Sequence, residues 1–317
     1  MKKNETVLLF AGQGSQYPGM GKELADAFPA CKRIYACGSE IVGFDIARVC
    51  FDGNESELAQ TIVSQPAIFA TSLAAWEAAK ENGMEANAVA GHSLGEYAAL
   101  VASGMLSLED GFRVIKARAE AMHRASLEHP GAMCAVLGSD NDTIAAVCES
   151  VEGYVVPVNF NSPTQTVIAG EIPAVAQAIL ELSRQGAKCI KLAVTAAFHS
   201  KLMQDAADEF LVELQSMTFA EPSMSFYSNL TGDRLTDFSD MPAYLARHLV
   251  SPVRFVSELR SLERDGYRRF LELGPNKVLT ALVRKTLKGT LAVNIENAKT
   301  LQRALSEIRC YEQEAEA

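Results

Sequence analysis

Short apolar runs alternate with stretches of helical spacing along most of the chain, a pattern that predicts an α/β layered fold. Residues 6–10 read as a first strand, which ends in Gly12-Gln13-Gly14-Ser15-Gln16. An amphipathic helix is predicted over 65–82, with Pro66 near its first turn and Gly83 just past its end. A second strand over 86–90 runs into Gly91-His92-Ser93-Leu94-Gly95, and helices follow over 96–103 and 108–126. Between Pro130 and about Ala196 the pattern changes to strand 133–138, helix 141–151, strands 154–160 and 166–169, helix 172–184 and strand 188–194. That β-α-β-β-α-β order is the ferredoxin-like arrangement and predicts a small subdomain over 130–197, inserted into a larger one formed by 1–129 and 198–317. Beyond it come a helix over 200–216, short strands over 226–229 and 270–273, Gly274-Pro275-Asn276-Lys277-Val278-Leu279 with a terminal helix, and a polar tail over 311–317 expected to fray. No internal repeat or heptad seam is visible.

Of 317 residues, 48% are hydrophobic, enough to bury a sizeable core and to exclude a disordered chain. No apolar run approaches the ~18 residues of a spanning helix. Met1-Lys2-Lys3 is followed by Glu5 and only a short apolar stretch, too brief for a secretory signal, which points to the cytosol. The net charge of −10 argues against nucleic acid, because neutralising phosphates takes a basic face. Seven cysteines, an odd number with no C-x-x-C pair and mostly in apolar surroundings, read as buried free thiols and argue against a zinc site.

Gly91-His92-Ser93-Leu94-Gly95 matches G-x-S-x-G, a sharp strand-to-helix turn whose serine hydroxyl projects from the bend. The following helix aims backbone N–H groups at the same point, so an oxyanion can be held there. The motif follows an apolar strand and precedes a helix, which favours a nucleophilic Ser93 over a serine that merely caps the helix. The base must come from His92, His123, His129, His199 or His248. In a sharp turn His92 points away from its neighbour, and His123 and His129 read as solvated. His199, between an apolar strand and a helix, is preferred by position. Arg118, beside Arg113 and Lys116, reads on these grounds alone as part of a solvated helix face.

Five segments in order, Gly12-Gln13-Gly14-Ser15-Gln16, Gly91-His92-Ser93-Leu94-Gly95-Glu96-Tyr97, Asn159-Phe160-Asn161-Ser162-Pro163, Phe198-His199-Ser200 and Gly274-Pro275-Asn276-Lys277-Val278-Leu279, resemble the malonyl-CoA:acyl carrier protein transacylase family across nearly the whole chain. The resemblance implies a hydrolase-like α/β core with a mostly parallel sheet and an inserted ferredoxin-like subdomain. It implies ping-pong transfer of a malonyl group from malonyl-CoA, through a malonyl ester of Ser93, to the phosphopantetheine thiol of acyl carrier protein, in fatty acid synthesis. His199 becomes the base, oriented by the backbone carbonyl of His248, and the N–H groups of Gln13 and Leu94 the oxyanion hole. Arg118 takes the family's position for the arginine that grips the malonyl carboxylate with a planar, two-pronged guanidinium. Gln65, His92, Met122 and Phe198 are implied to line or order the pocket, and Asn159, Asn161 and Gln165 to meet the CoA or pantetheine arm. Leu94 and Phe198 resemble malonyl-selective members, while Ala196-Ala197 departs from the commonest forms of its motif.

No resident cofactor or metal is expected, no membrane or nucleic acid, and a monomer is the default. Carrier proteins are acidic, so Lys188, Lys191, Arg284, Lys285 and Lys288 are candidates for docking one. The alternatives are a trans-acting acyltransferase of a polyketide synthase, a serine hydrolase that releases acyl groups to water, and an inactive carrier-docking protein. An intact Gln13, Ser93, Arg118 and His199 weigh against the last two.

Overall fold

The computed structural model describes residues 5–316, and side chains to 313; Met1-Lys2-Lys3 and Ala317 lie outside the described residues. Ten strands occur among them: β1 (Thr6–Phe10), β2 (Ala88–Gly91), β3 (Ala132–Leu137), β4 (Val155–Ser162), β5 (Gln165–Gly170), β6 (Lys188–Lys191), β7 (Ser225–Ser228), β8 (Asp233–Arg234), β9 (Arg269–Leu273) and β10 (Leu291–Ile295). The large sheet has the order β10-β9-β1-β2-β7-β8, parallel except for the short edge strand β8. Its central strands are buried along their whole length, as the unbroken apolar runs require of a sheet covered on both faces. Phe10 pairs with Gly91 on one side and Leu273 on the other, so the loops after β1, β2 and β9 emerge together at the carboxyl end of the sheet. That edge is where an open α/β sheet presents its ligands.

The second sheet has the order β4-β5-β3-β6 and is antiparallel throughout, with helices Asn141–Ser150 and Ile172–Arg184 on one face, the ferredoxin-like topology. Alternation along β3 gives it two buried faces. Cys134 and Val136 join Ile144, Val147, Ile168 and Leu182 in a core of their own, whereas Met133 and Ala135 pack towards the main core. Backbone hydrogen bonds Phe160 N to Val253 O (2.9 Å) and Val253 N to Val158 O (2.8 Å) tie β4 to the loop after helix Met241–Leu249.

Three expectations are corrected. The helix expected over 65–82 runs Thr61–Glu81, which places Pro66 inside it, and Ser64 to Ala79 are buried almost without interruption. It is a central helix, apolar on nearly every side rather than amphipathic. The helix after β9, Val278–Thr286, is not terminal, because β10 and helix Ala298–Glu316 follow it. The tail expected to fray continues that last helix, which Leu301, Ala304 and Ile308 anchor in the core. Among the cysteines, Cys31, Cys50, Cys134 and Cys148 are buried, each thiol pushed up to about 12 by burial, but Cys310 is exposed.

Candidate active site

Ser93 sits at the bend between β2 and helix Leu94–Ala102 with φ 54° and ψ −105°. A side chain on Gly91 would come within 2.1 Å of the Gly95 carbonyl carbon, and one on Gly95 within 1.9 Å of the Phe10 carbonyl oxygen. Both glycines of the motif are therefore required by contact with backbone. Three non-glycine residues among those described have left-handed φ: Ser93, His199 (61°) and Asn276 (67°). Each belongs to one of the motifs above, and such conformations cost on the order of 1–3 kcal/mol unless the surroundings impose them.

Ser93 Oγ lies 2.6 Å from His199 Nε2. His199 Nδ1 is 3.1 Å from the carbonyl oxygens of both His248 and Ser251. Two acceptors there place the ring proton on Nδ1, which leaves Nε2 unprotonated and facing the serine hydroxyl. Burial, then the positive charge of Arg118, pushes the imidazole down to about 3, so it stays neutral at physiological pH. His199 is thus built as an acceptor of the Ser93 proton.

Arg118 is not on a solvated helix face. It is 1% exposed, lies over the Tyr97 ring at 4.8 Å, and donates from Nη1 to Gln65 Oε1 (2.7 Å) and from Nη2 to Ser93 Oγ (3.2 Å). Its Nε has no hydrogen-bond partner among the described residues, so a buried cation stands beside the serine with donor capacity to spare. Gln65, fully buried, orients that guanidinium.

A cavity of about 500 Å³ opens in front of the pair. Gln13, His92, Ser93, Met122, Phe198 and His199 line it on the side of the parallel sheet, and Asn159, Asn161, Gln165 and Lys191 on the side of the antiparallel sheet. Arg118, Gln65, Leu94 and His248 are buried and do not line it, though Arg118 Nη2 reaches Ser93 Oγ, which does. His92 Nε2 meets Asn161 Oδ1 at 2.7 Å across the two parts. Asn276 Nδ2 donates to the Ser15 carbonyl (2.8 Å) and Ser15 Oγ to the Gly12 carbonyl (2.7 Å), which fixes the loop that carries Gln13. His129, read as solvated, is exposed but pairs with Asp205 at 2.8 Å. Of the docking candidates, Lys188, Lys191, Arg284, Lys285 and Lys288 are all exposed.

Residues 7–309 match the model of the acyl transferase domain family. The chain belongs to that family. This acyl transferase is 37% identical over 310 residues to the malonyl CoA-acyl carrier protein transacylase of Bacillus subtilis strain 168, covering 96% of this chain and 98% of that protein. It superposes with a TM-score of 0.94 on the crystal structure of malonyl CoA-acyl carrier protein transacylase from Clostridium perfringens, at 35% identity over 99% of this chain and 100% of the other. A malonyl-transacylase solved in complex with a type II polyketide acyl-carrier protein gives a TM-score of 0.91 at 36% identity, covering 96% of this chain and 99% of that one.

Two groups in the acyl transferase site escaped the sequence reading. The Ser251 carbonyl, which shares His199 Nδ1–H with His248, carries no residue signature. Asn229 accepts a 2.6 Å hydrogen bond from Ser93 N, yet lies 136 positions away with no motif around it.

Proposed function

We propose that the protein transfers a malonyl group from malonyl-CoA to the phosphopantetheine thiol of an acyl carrier protein by way of a malonyl ester on Ser93. The observation that carries this reading is a single serine oxygen flanked at 2.6 Å by an unprotonated imidazole nitrogen and at 3.2 Å by a buried guanidinium. Ser93 Oγ attacks the thioester carbonyl while its proton passes to His199 Nε2. The oxyanion is held by the N–H groups of Leu94 and Gln13, each of which is worth about 3 kcal/mol to such an intermediate. The C–S bond then breaks, and CoA leaves as the thiol with the proton from His199. In the second half the pantetheine thiol gives its proton to His199, its sulfur attacks the ester carbonyl, and Ser93 Oγ leaves and takes the proton back.

Arg118 gives the charged acyl group its advantage. Its guanidinium pairs with the malonyl carboxylate, a contact acetyl-CoA cannot offer, and Gln65 keeps it aimed. Asn159, Asn161 and Gln165 lie along the cavity where the pantetheine arm would enter, and Met122 and Phe198 bound the acyl end. Residues 130–197 act as a separate subdomain, supported by their own core, that closes one side of this cavity. The working unit is taken as a monomer, since Ser93, His199 and Arg118 come from one chain. The cytosol is the proposed compartment; no helix among the described residues is long and apolar enough to cross a membrane.

The carrier is proposed to be that of fatty acid synthesis. The likeness to a transacylase bound to a polyketide carrier favours a second reading, in which the carrier serves polyketide synthesis. Mass spectrometry of purified carriers of both kinds, each bearing phosphopantetheine, after incubation with malonyl-CoA and the enzyme tests both readings. A malonyl increment on the fatty acid carrier is expected, faster than on the polyketide carrier; the reverse order favours the second reading. With Arg118→Ala, malonyl transfer should fall about 10²–10³-fold, the loss expected when one partner of a buried ion pair is removed. Acetyl transfer should fall far less, and equal losses would remove the carboxylate clamp.

A further inference from the structure

Beneath the bend at Ser93 lies a buried polar cluster that the proton-transfer scheme does not use. Asn229, 0% exposed and just after β7, accepts from Ser93 N through Oδ1 (2.6 Å) and donates through Nδ2 to the Gly91 carbonyl (2.6 Å) and to Glu258 Oε2 (2.7 Å). Its own N–H donates to Glu96 Oε2 (2.7 Å), and Tyr244 Oη lies against Glu96 Oε1 and Ser228 Oγ. Glu96 and Glu258 are both fully buried, and neither has a salt-bridge partner among the described residues. Burial pushes Glu96 up to about 7 and Glu258 well above its ordinary value, so the cluster can hold a neutral carboxyl where two carboxylates would repel.

The partners fix the orientation of the Asn229 amide. Ser93 N–H can only donate and the Gly91 carbonyl can only accept, so oxygen faces the first and nitrogen the second. One side chain thereby joins the last residue of β2 to the nucleophile two residues on, spanning the bend. Neither a carboxylate nor an aliphatic chain supplies donor and acceptor together. The dihedrals of Ser93 are ones its own backbone disfavours, and its N–H would be left unpaired without Asn229.

We propose that Asn229 is a positioning residue for the nucleophile: its side-chain amide, held by Glu258 while Glu96 holds its backbone N–H, keeps the bend at the geometry in which Ser93 Oγ meets His199 Nε2. The role in malonyl transfer rests on the function proposed above, but the bracing of Ser93 does not, and the test separates them. Two rates are measured on each variant: single-turnover acylation by malonyl-CoA, and labelling by a fluorophosphonate. In the second reaction Ser93 Oγ bonds to phosphorus, fluoride leaves and the serine proton goes to His199, with no acyl group required.

Asn229→Ala should slow both rates about 10²-fold, the usual result of an ångström-scale misplacement, while half-saturation by malonyl-CoA stays within about threefold. Asn229→Asp combined with Glu258→Gln reverses donor and acceptor across that pair and keeps an acceptor for Ser93 N–H. It should recover roughly tenfold of the rate lost in Asn229→Asp alone, about the worth of one charge-assisted hydrogen bond. Folded Asn229→Ala with both rates within twofold of the parent protein would overturn the proposal. So would a loss that merely matches the fraction unfolded by circular dichroism. If Asn229→Ala does not fold, the two aspartate variants decide: a faster double variant supports the brace, and equal rates overturn it. If the parent protein takes the fluorophosphonate on Ser93 but no malonyl group, the proposed function fails and the labelling rates still judge Asn229.

Discussion

Ser93 and His199 stand 2.6 Å apart and both have left-handed φ, yet they are held by different kinds of group. Ser93 is braced by a side chain, Asn229, itself seated on two buried carboxyl groups. His199 Nδ1 is hydrogen-bonded by main chain alone, the carbonyls of His248 at the end of helix Met241–Leu249 and of Ser251 in the loop after it, which is bonded to β4. The nucleophile's support therefore depends on the identity of a distant residue, whereas the base's support depends on the path of a loop and tolerates changes in its side chains. An imidazole gains from this arrangement. Carbonyls fix its tautomer and ring plane without the negative charge of an acid, and its lowered basicity keeps it neutral and ready to accept a proton.

Removing the base makes the largest test of that comparison. His199→Ala should slow acylation by ~10²–10⁴ without changing the melting temperature greatly, and near-normal single-turnover rates would take it out of the pair. The pH profile is the next lever. With no carboxylate partner and with the value lowered to about 3, His199 gains its proton only well below the ordinary histidine range. The acylation kcat/KM in malonyl-CoA should then stay level as pH falls from about 8 to 5. A decline that starts near the ordinary histidine value of about 6.5 would show an imidazole that titrates as if in water. The smallest effect is expected from His248→Gln, which alters a fully buried ring packed on His199 but leaves the carbonyl in place. Acylation should change by less than about tenfold, since a swap that roughly conserves volume costs under about 1.5 kcal/mol. A hundredfold loss would mean that the His248 side chain, and not its carbonyl, orients the base.

The same division explains what could be read from the chain. The bend at Ser93 was legible because both of its glycines lie within two residues of the serine, although only the Gly91 clash is local and the Gly95 clash is with Phe10 of β1; the alternating order of strands and helices exposed both sheets. Arg118 was legible only through the resemblance. Its neighbours Arg113 and Lys116 are charged too, and nothing local says that Tyr97 and Gln65 cover one of the three. Asn229 was invisible because its partners Gly91, Ser93, Glu96 and Glu258 are scattered over 168 positions and meet only after β2 and β7 pair. The Ser251 carbonyl could not be found from residue types, since every residue has one. β10 was missed because Leu291–Ile295 is a short run that includes a polar Asn294, which is buried and serves as a hydrogen-bond hub.

Malonyl transfer by this route needs a serine that carries the acyl group and a guanidinium that selects it. Intact-protein mass after mixing with malonyl-CoA, and separately with acetyl-CoA, in the absence of any acceptor, tests both at once. A stable malonyl-sized increment is predicted, weak with acetyl-CoA and absent from Ser93→Ala. An increment that persists in Ser93→Ala, or steady release of CoA with no increment at all, would contradict it, the latter by making water the acceptor.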